Sequence, residues 1–136
     1  MPIANTCLRW HATDLPSQDK TEGIDYAIMS FAASKLFNSD SPEAYKPFES
    51  PETMRKRFSP DTKLMVAIGG WGDTAGFSEG AKDEASRTRY AKNVASMLDA
   101  HGFDGVGKTF KKYFLSFEVA SLLTFIHRYR LGVSWR

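Results

Sequence analysis

The sequence predicts an α/β fold built on parallel strands, and three observations carry that prediction. Residues 64–68 (LMVAI) form a continuous apolar run, as a strand covered on both faces of a parallel sheet does. Residues 83–101 hold an acid-capped helical pattern that stops at Gly102. Strand-like and helix-like stretches alternate through the first 106 residues, the order expected when parallel strands are joined by crossovers.

The elements follow in chain order. Residues 6–11 mix polar and apolar side chains and are read as the first strand, and residues 25–32 (DYAIMSFA), after Gly23, as the second. Ser50, Pro51 and Glu52 supply an N-cap, a proline suited to the first helical position and an acid near the positive end of the helix dipole. They predict a short helix over 51–58, ending before Ser59-Pro60. The third strand, 64–68, is stopped by Gly69-Gly70. Asp83 or Ser86 caps a helix reaching about His101, with Tyr90, Val94, Met97 or Leu98 and His101 along one side. Residues 103–106 then return as a fourth strand, adjacent and parallel to 64–68. The longest loop is 37–50, which carries Asn38, Asp40, Pro42 and Pro47.

At 136 residues and 42% hydrophobic, the chain can bury the core of one domain. Its single cysteine, Cys7, excludes an intramolecular disulfide, and the first thirty residues hold no apolar core bounded by a cleavage site. Both point to a cytoplasmic, reducing setting. The longest apolar stretch, 113–126, is interrupted by Glu118 and falls short of the about 18 residues a membrane helix needs, so no membrane partner is expected.

Charge is divided unevenly. Residues 1–106 carry 12 Lys+Arg against 15 Asp+Glu, a net −3, whereas residues 107–136 carry 6 against 1, a net +5. The last thirty residues also hold seven aromatics and no proline. A basic aromatic surface of this kind suits nucleic acid. The reading adopted is instead that 107–136 was never selected to fold with the rest, so no nucleic-acid partner is expected.

Two glycine-rich motifs bear on chemistry. Gly70-Trp71-Gly72-Asp73-Thr74-Ala75 follows a strand and matches the G-x-G-x-x-A dinucleotide fingerprint. A phosphate-binding turn should pass directly into a helix, but the next helical pattern starts about ten residues later and no acid ends a strand about 20 residues on. A dinucleotide-binding domain is therefore the remote alternative. The second motif, HGFDGV at 101–106, is followed by Gly107-Lys108-Thr109-Phe110-Lys111.

Together, KLMVAIGGWGD at 63–73, the helical stretch after it and HGFDGV resemble the third and fourth β/α units of glycoside hydrolase family 18 chitinases, whose fourth strand reads D-G-x-D-x-D-x-E. The resemblance covers roughly residues 6–106 and has a fungal look, with KLMVAIGGWGDT and GFSE together. It implies an incomplete TIM (β/α)8 barrel, holding about the first three to four β/α units, since a complete barrel needs roughly 200 to 250 residues or more. It also implies hydrolysis of β-1,4-linked N-acetylglucosamine, with the sugar's own acetamido oxygen attacking the anomeric carbon and a Glu protonating the leaving oxygen. No metal or organic cofactor takes part, and chitin or its oligosaccharides are the implied partner.

Laid over that pattern, the first Asp is Asp104 and its Gly is Gly105, but the later acidic positions fall on Gly107, Thr109 and Lys111. No catalytic set is intact, Asp104 being the only retained acid, and the family's Ser before the glycine pair is Ala67. Phe31, Gly69, Gly70 and Asp104 match positions near the innermost sugar, and Trp71 is the candidate for stacking on a sugar face. Each has a structural alternative: Asp104 as a capped strand residue, Trp71 and Phe31 as packing between barrel and helices. His11 and His101 are read as structural.

The expectation is a chitinase-family chain without activity, with a chitin-binding lectin-like protein as the alternative. The domain boundary falls at 106/107. Gly107-Lys108 is encoded by GGN-AAR, which includes GGTAAG, the form of an intron's splice donor. Residues 107–136 are accordingly read as translated intron, with correct splicing completing codon 107 as Asp.

Overall fold

A computed structural model of the chain describes residues 4–8 and 16–109. Four parallel strands form one sheet in the order of the sequence: β1 (Ala4–Leu8), β2 (Tyr26–Ala32), β3 (Lys63–Gly69) and β4 (Gly105–Thr109). The register aligns Ala27 with Leu64 and Met65 with Gly105. β3 and β4 are thus adjacent and parallel, as their sequences predicted. The first strand starts at Ala4 rather than at residue 6, residues 9–11 of its expected span lying outside the described residues, and the fourth lies at 105–109 rather than 103–106. The second starts one residue later than expected, and the third extends one residue further at each end.

Local signals explain most of the helices. In α1 (Pro51–Arg55), Pro51 takes the first position and the Ser50 hydroxyl accepts from Thr53 N–H at 3.0 Å. In α3 (Glu84–His101), Asp83 Oδ1 accepts from Ser86 N–H at 2.7 Å, and Gly102 closes the helix in the left-handed conformation. That hydrogen bond holds the Asp83 carboxyl below the usual carboxylate range. The buried side chains of α3, Tyr90, Ala91, Val94, Met97 and Leu98, join Leu64, Val66 and Ile68 in the core. Helices therefore cover one face of β3.

The remaining helix, α2 (Ala75–Ala81), was not expected, and its position corrects one step of the sequence argument: a helix does follow the glycine turn directly. Thr74 at its N-cap makes no side-chain cap bond, and two of its residues are glycine. The cap comes from 42 residues away, where Ser34 Oγ accepts from Gly76 N–H at 3.1 Å. Because that first-turn N–H is already taken, the helix start is not an open phosphate cradle.

The loop over 37–50 contains no regular element beyond the end of a 3-10 turn at Ser34–Phe37. It is tied down by α3, whose Asn93 amide donates to the carbonyls of Phe37 (3.0 Å) and Ser39 (2.8 Å). Tyr45 from this loop is buried against His101, ring centroids 5.5 Å apart, and against Phe103 at 6.3 Å. His101 thus packs rather than reaching a site; His11 lies outside the described residues.

Among the described glycines Gly76 faces the tightest contact, because a Cβ there would lie 2.3 Å from both Ser34 C and Lys35 N. Both are backbone atoms and cannot swing away. Gly76→Ala is expected to destabilise by about 1–3 kcal/mol, as overpacking does, seen as a lowered urea midpoint. An unchanged midpoint would show that α2 shifts freely against the 3-10 turn.

Candidate functional site

Parallel α/β sheets place their ligands beyond the C-terminal ends of the strands, which here means the ends of β2, β3 and β4. Four of the five predicted site residues meet there. Pairing between β2 and β3 is irregular around Phe31, since Ser30 aligns with Ala67 but Ala32 with Ile68. The Ser30–Phe31 peptide is cis. The Phe31 ring lies over Gly70, where a Cβ would sit 3.3 Å from Phe31 Cδ2. Gly70 also has φ +136°, which side-chain-bearing residues rarely adopt. Gly69 precedes it at the end of β3, and Trp71 follows with 86% of its surface exposed.

Asp104 does not join them. It lies just before β4, level with Leu64, five residues back along β3 from Gly69, or about 16 Å along the sheet. Its Oδ2 accepts from Leu64 N–H at 2.8 Å and from Arg55 Nη2 at 2.9 Å, while its own N–H donates to Leu64 O at 2.8 Å. Arg55 also donates to the Gly102 carbonyl. These bonds join α1, β3 and the turn before β4 at the N-terminal edge of the sheet, which is the capped-residue alternative for this carboxylate.

The acidic positions of the family pattern do reach the C-terminal edge, but with other residues in them. Gly107 aligns with Ala67 and Thr109 with Gly69; Lys111 lies outside the described residues. Beside that pair, Ser30 is fully buried, and its hydroxyl has no hydrogen-bond partner among the described residues. Ser30, Ala67 and Gly107 therefore form one rung across three strands, with a single polar side-chain group in it.

Sequence reasoning missed a polar knot at the same edge. Ser34 N–H donates to Asp73 Oδ2 at 2.7 Å and Ser34 Oγ donates to Asp73 Oδ1, while Tyr90 Oη donates to Ser34 O at 3.0 Å. Burial, with the Asp73 charge nearby, pushes the Tyr90 hydroxyl well above its ordinary range. The only sequence signal was the pairing of a Ser after one strand with an Asp after the next, too weak to single out. Among the described residues no group of three or more His, Cys, Asp or Glu is arranged to hold a metal ion, and no helix is long and apolar enough to cross a membrane.

Comparison with known proteins matches residues 8–111 to the family model for glycosyl hydrolases family 18. A 46-residue stretch is 39% identical to probable chitinase 10 of Drosophila melanogaster, covering 32% of this chain and 2% of that protein. The chitinase domain of the spore coat protein CotE from Clostridium difficile superposes with a TM-score of 0.71 at 24% identity, over 99% of this chain and 40% of that one. A plant class V chitinase mutant from Cycas revoluta, solved in complex with (GlcNAc)3, gives 0.63 at 16% identity over 94% and 39%. The chain thus spans about two fifths of the length of these structures.

Tyr90 provides a pH test of the knot. A phenol whose folded pKa is raised binds its proton more tightly when folded, so its contribution is complete below its unfolded value of about 10 and is lost as pH rises beyond it. The parent chain should lose more stability than Tyr90→Phe between pH 8 and pH 10.5 in urea unfolding. Parallel losses in the two proteins would show that Tyr90 titrates normally.

Proposed function

The chain belongs to glycosyl hydrolases family 18, and from that premise we propose that it is a catalytically silent part of a chitinase-type domain. In this reading it supplies the first four strands of a (β/α)8 barrel and the near side of a cleft for chitin oligosaccharides. The observation that carries the proposal is the chemistry of β4. Where the family chemistry needs a proton donor and two orienting carboxylates, the chain has Lys111, Gly107 and Thr109.

An ordinary lysine, protonated up to a pKa of about 10.4, cannot donate usefully to a leaving oxygen and repels an oxocarbenium-like centre. Loss of general acid catalysis alone is worth roughly 100- to 10,000-fold. Asp104 does not compensate, because it is bonded to Arg55 and Leu64 at the other end of the sheet. The Ser30 hydroxyl beside Gly107, which has no hydrogen-bond partner among the described residues, supports the same reading, since a carboxylate at 107 would bring an acceptor to that rung. The family chemistry calls for no cofactor.

Oligosaccharide binding without hydrolysis is a second reading, favoured by the exposure of Trp71 beside Phe31 and Gly70. Aromatic faces at a carbohydrate cleft bind through apolar sugar surface, and that contribution does not depend on the missing acids. The domain boundary at 106/107 and the intron origin of 107–136 remain part of the proposal, supported by the change in charge and composition there.

Two outcomes test these statements. The purified chain should release no fluorophore from a chitobioside above a heat-treated control, and turnover by the chain would overturn the silent reading. The mature message should read an Asp codon at position 107. A message encoding Gly-Lys-Thr-Phe there would end the intron explanation.

A further inference from the structure

Three serines between residues 41 and 59 stand directly before a proline: Ser41, Ser50 and Ser59. Two of them are committed to structure. The Ser50 hydroxyl caps α1, accepting from Thr53 N–H at 3.0 Å and donating to Thr53 Oγ1 at 2.8 Å. Ser59 is half-buried, and its carbonyl accepts from Thr62 N–H at 2.9 Å. Ser41 differs, being exposed with every residue from 39 to 44 in a stretch that holds no helix or strand. Among the described residues its hydroxyl makes no hydrogen bond, while its N–H and C=O are both engaged by the Ser39 hydroxyl, at 3.1 and 3.2 Å.

A second observation lies on α3, where Arg89 and Asn93 are one turn apart and face this stretch. Asn93 donates to Ser39 O at 2.8 Å, but Arg89 Nη1 reaches Asp40 Oδ1 only at 3.4 Å. Arg89 Nη2 is 3.5 Å from Ser86 Oγ, and Nε is buried with no partner among the described residues. Bonds from a guanidinium to an anion normally run at about 2.7–2.9 Å. This cation is therefore poorly satisfied, beside an exposed hydroxyl that nothing uses.

We propose that Ser41 is a phosphorylation site for a proline-directed kinase and that Arg89 receives the phosphate. A residue before proline is held to extended backbone, the form a cleft can take up, and Pro42 brings no N–H for that cleft to satisfy. In the transfer, a bond forms between Ser41 Oγ and the γ-phosphorus of a nucleoside triphosphate as the bond to the diphosphate breaks. The nucleoside diphosphate leaves, and the hydroxyl proton passes to the kinase's base. The product carries a charge of about −1.5 to −2 and three strong acceptor oxygens, one residue from the guanidinium that Asp40 holds weakly. It displaces Asp40, whose side chain is 90% exposed and loses little by returning to water. Paired with Arg89, the phosphate fastens to α3 the stretch between two existing anchors, Ser39 O on Asn93 and the buried Tyr45.

The full chain is incubated with a proline-directed kinase and ATP, and the phosphate is located by tandem mass spectrometry. Ser41 should carry it, and Ser41→Ala should take up none. No uptake by the parent chain, or equal uptake by Ser41→Ala, overturns the site. Capture by Arg89 is read separately in urea unfolding: phosphorylation should raise the midpoint of the parent, Asp40→Asn should enlarge that rise, and Arg89→Gln should abolish it. An unchanged midpoint in the phosphorylated parent overturns the capture. If Arg89→Gln does not fold, phosphorus NMR titration of the phosphorylated parent decides. The second pKa of the phosphate should fall below its ordinary value of about 6, and a value at or above that overturns the pairing with Arg89.

Discussion

Every residue of β3 after Lys63 is buried, so this strand must be paired on both edges and covered on both faces. β2 and β4 supply the edges, leaving no N–H or C=O of the strand interior to be satisfied elsewhere. Leu64, Val66 and Ile68 face the helices, where α3 covers them. Met65 and Ala67 point to the other face, with Ile28, Ser30, Gly105 and Gly107 on the flanking strands. Apart from Met65 and Ile28 the residues of that face are small, which suits the interior of a closed sheet, where space is short. Side chains of α2 and α3 meet this one strand in the core.

What could be read from the sequence is what is encoded locally. The caps of α1 and α3 lie within three residues of the backbone groups they satisfy, and the apolar run of β3 needs no partner to be recognised. α2 was hidden because its cap is Ser34, distant in sequence, and because Gly76 and Gly80 weaken its helical signal while being required by close neighbours: a Cβ at Gly80 would sit 2.4 Å from Tyr90 Cδ2. β4 was misplaced for a related reason. Gly105 and Gly107 have poor strand propensity, and pairing with β3 imposes the strand on them. At the site, the positions of Phe31, Gly69, Gly70 and Trp71 were legible because they flank strand ends. The separation of Asp104 from them was not, since it depends on where β4 starts.

The two ends of the sheet do different work. At the N-terminal edge, Asp104, Arg55, Leu64 and the Gly102 carbonyl are mutually bonded, so the acid that opens the family pattern serves the fold. Its partner Arg55 is part exposed, 38% for the side chain, so the ion pair itself contributes little. The bond to the Leu64 N–H matters more, because a buried donor left unpaired costs about 1–3 kcal/mol. A chain can therefore keep Asp104 for reasons of stability while the positions further along β4 carry no acid.

Polar satisfaction at the C-terminal edge separates structure from chemistry in the same way. Asp73 has a negative charge close to the glycine turn, and both its oxygens accept from Ser34, so it ties that turn to the start of the 3-10 segment. Ser30 is the opposite case, a buried hydroxyl with no partner among the described residues. Buried polar groups are seldom left so, because the desolvation cost is not recovered. Its neighbours on the rung, Ala67 and Gly107, are the two positions where the family resemblance leads one to expect a hydroxyl and a carboxylate. Among the described residues that edge keeps its strands and turns, with a hydroxyl at Ser30 and neither a hydroxyl at position 67 nor a carboxylate at position 107.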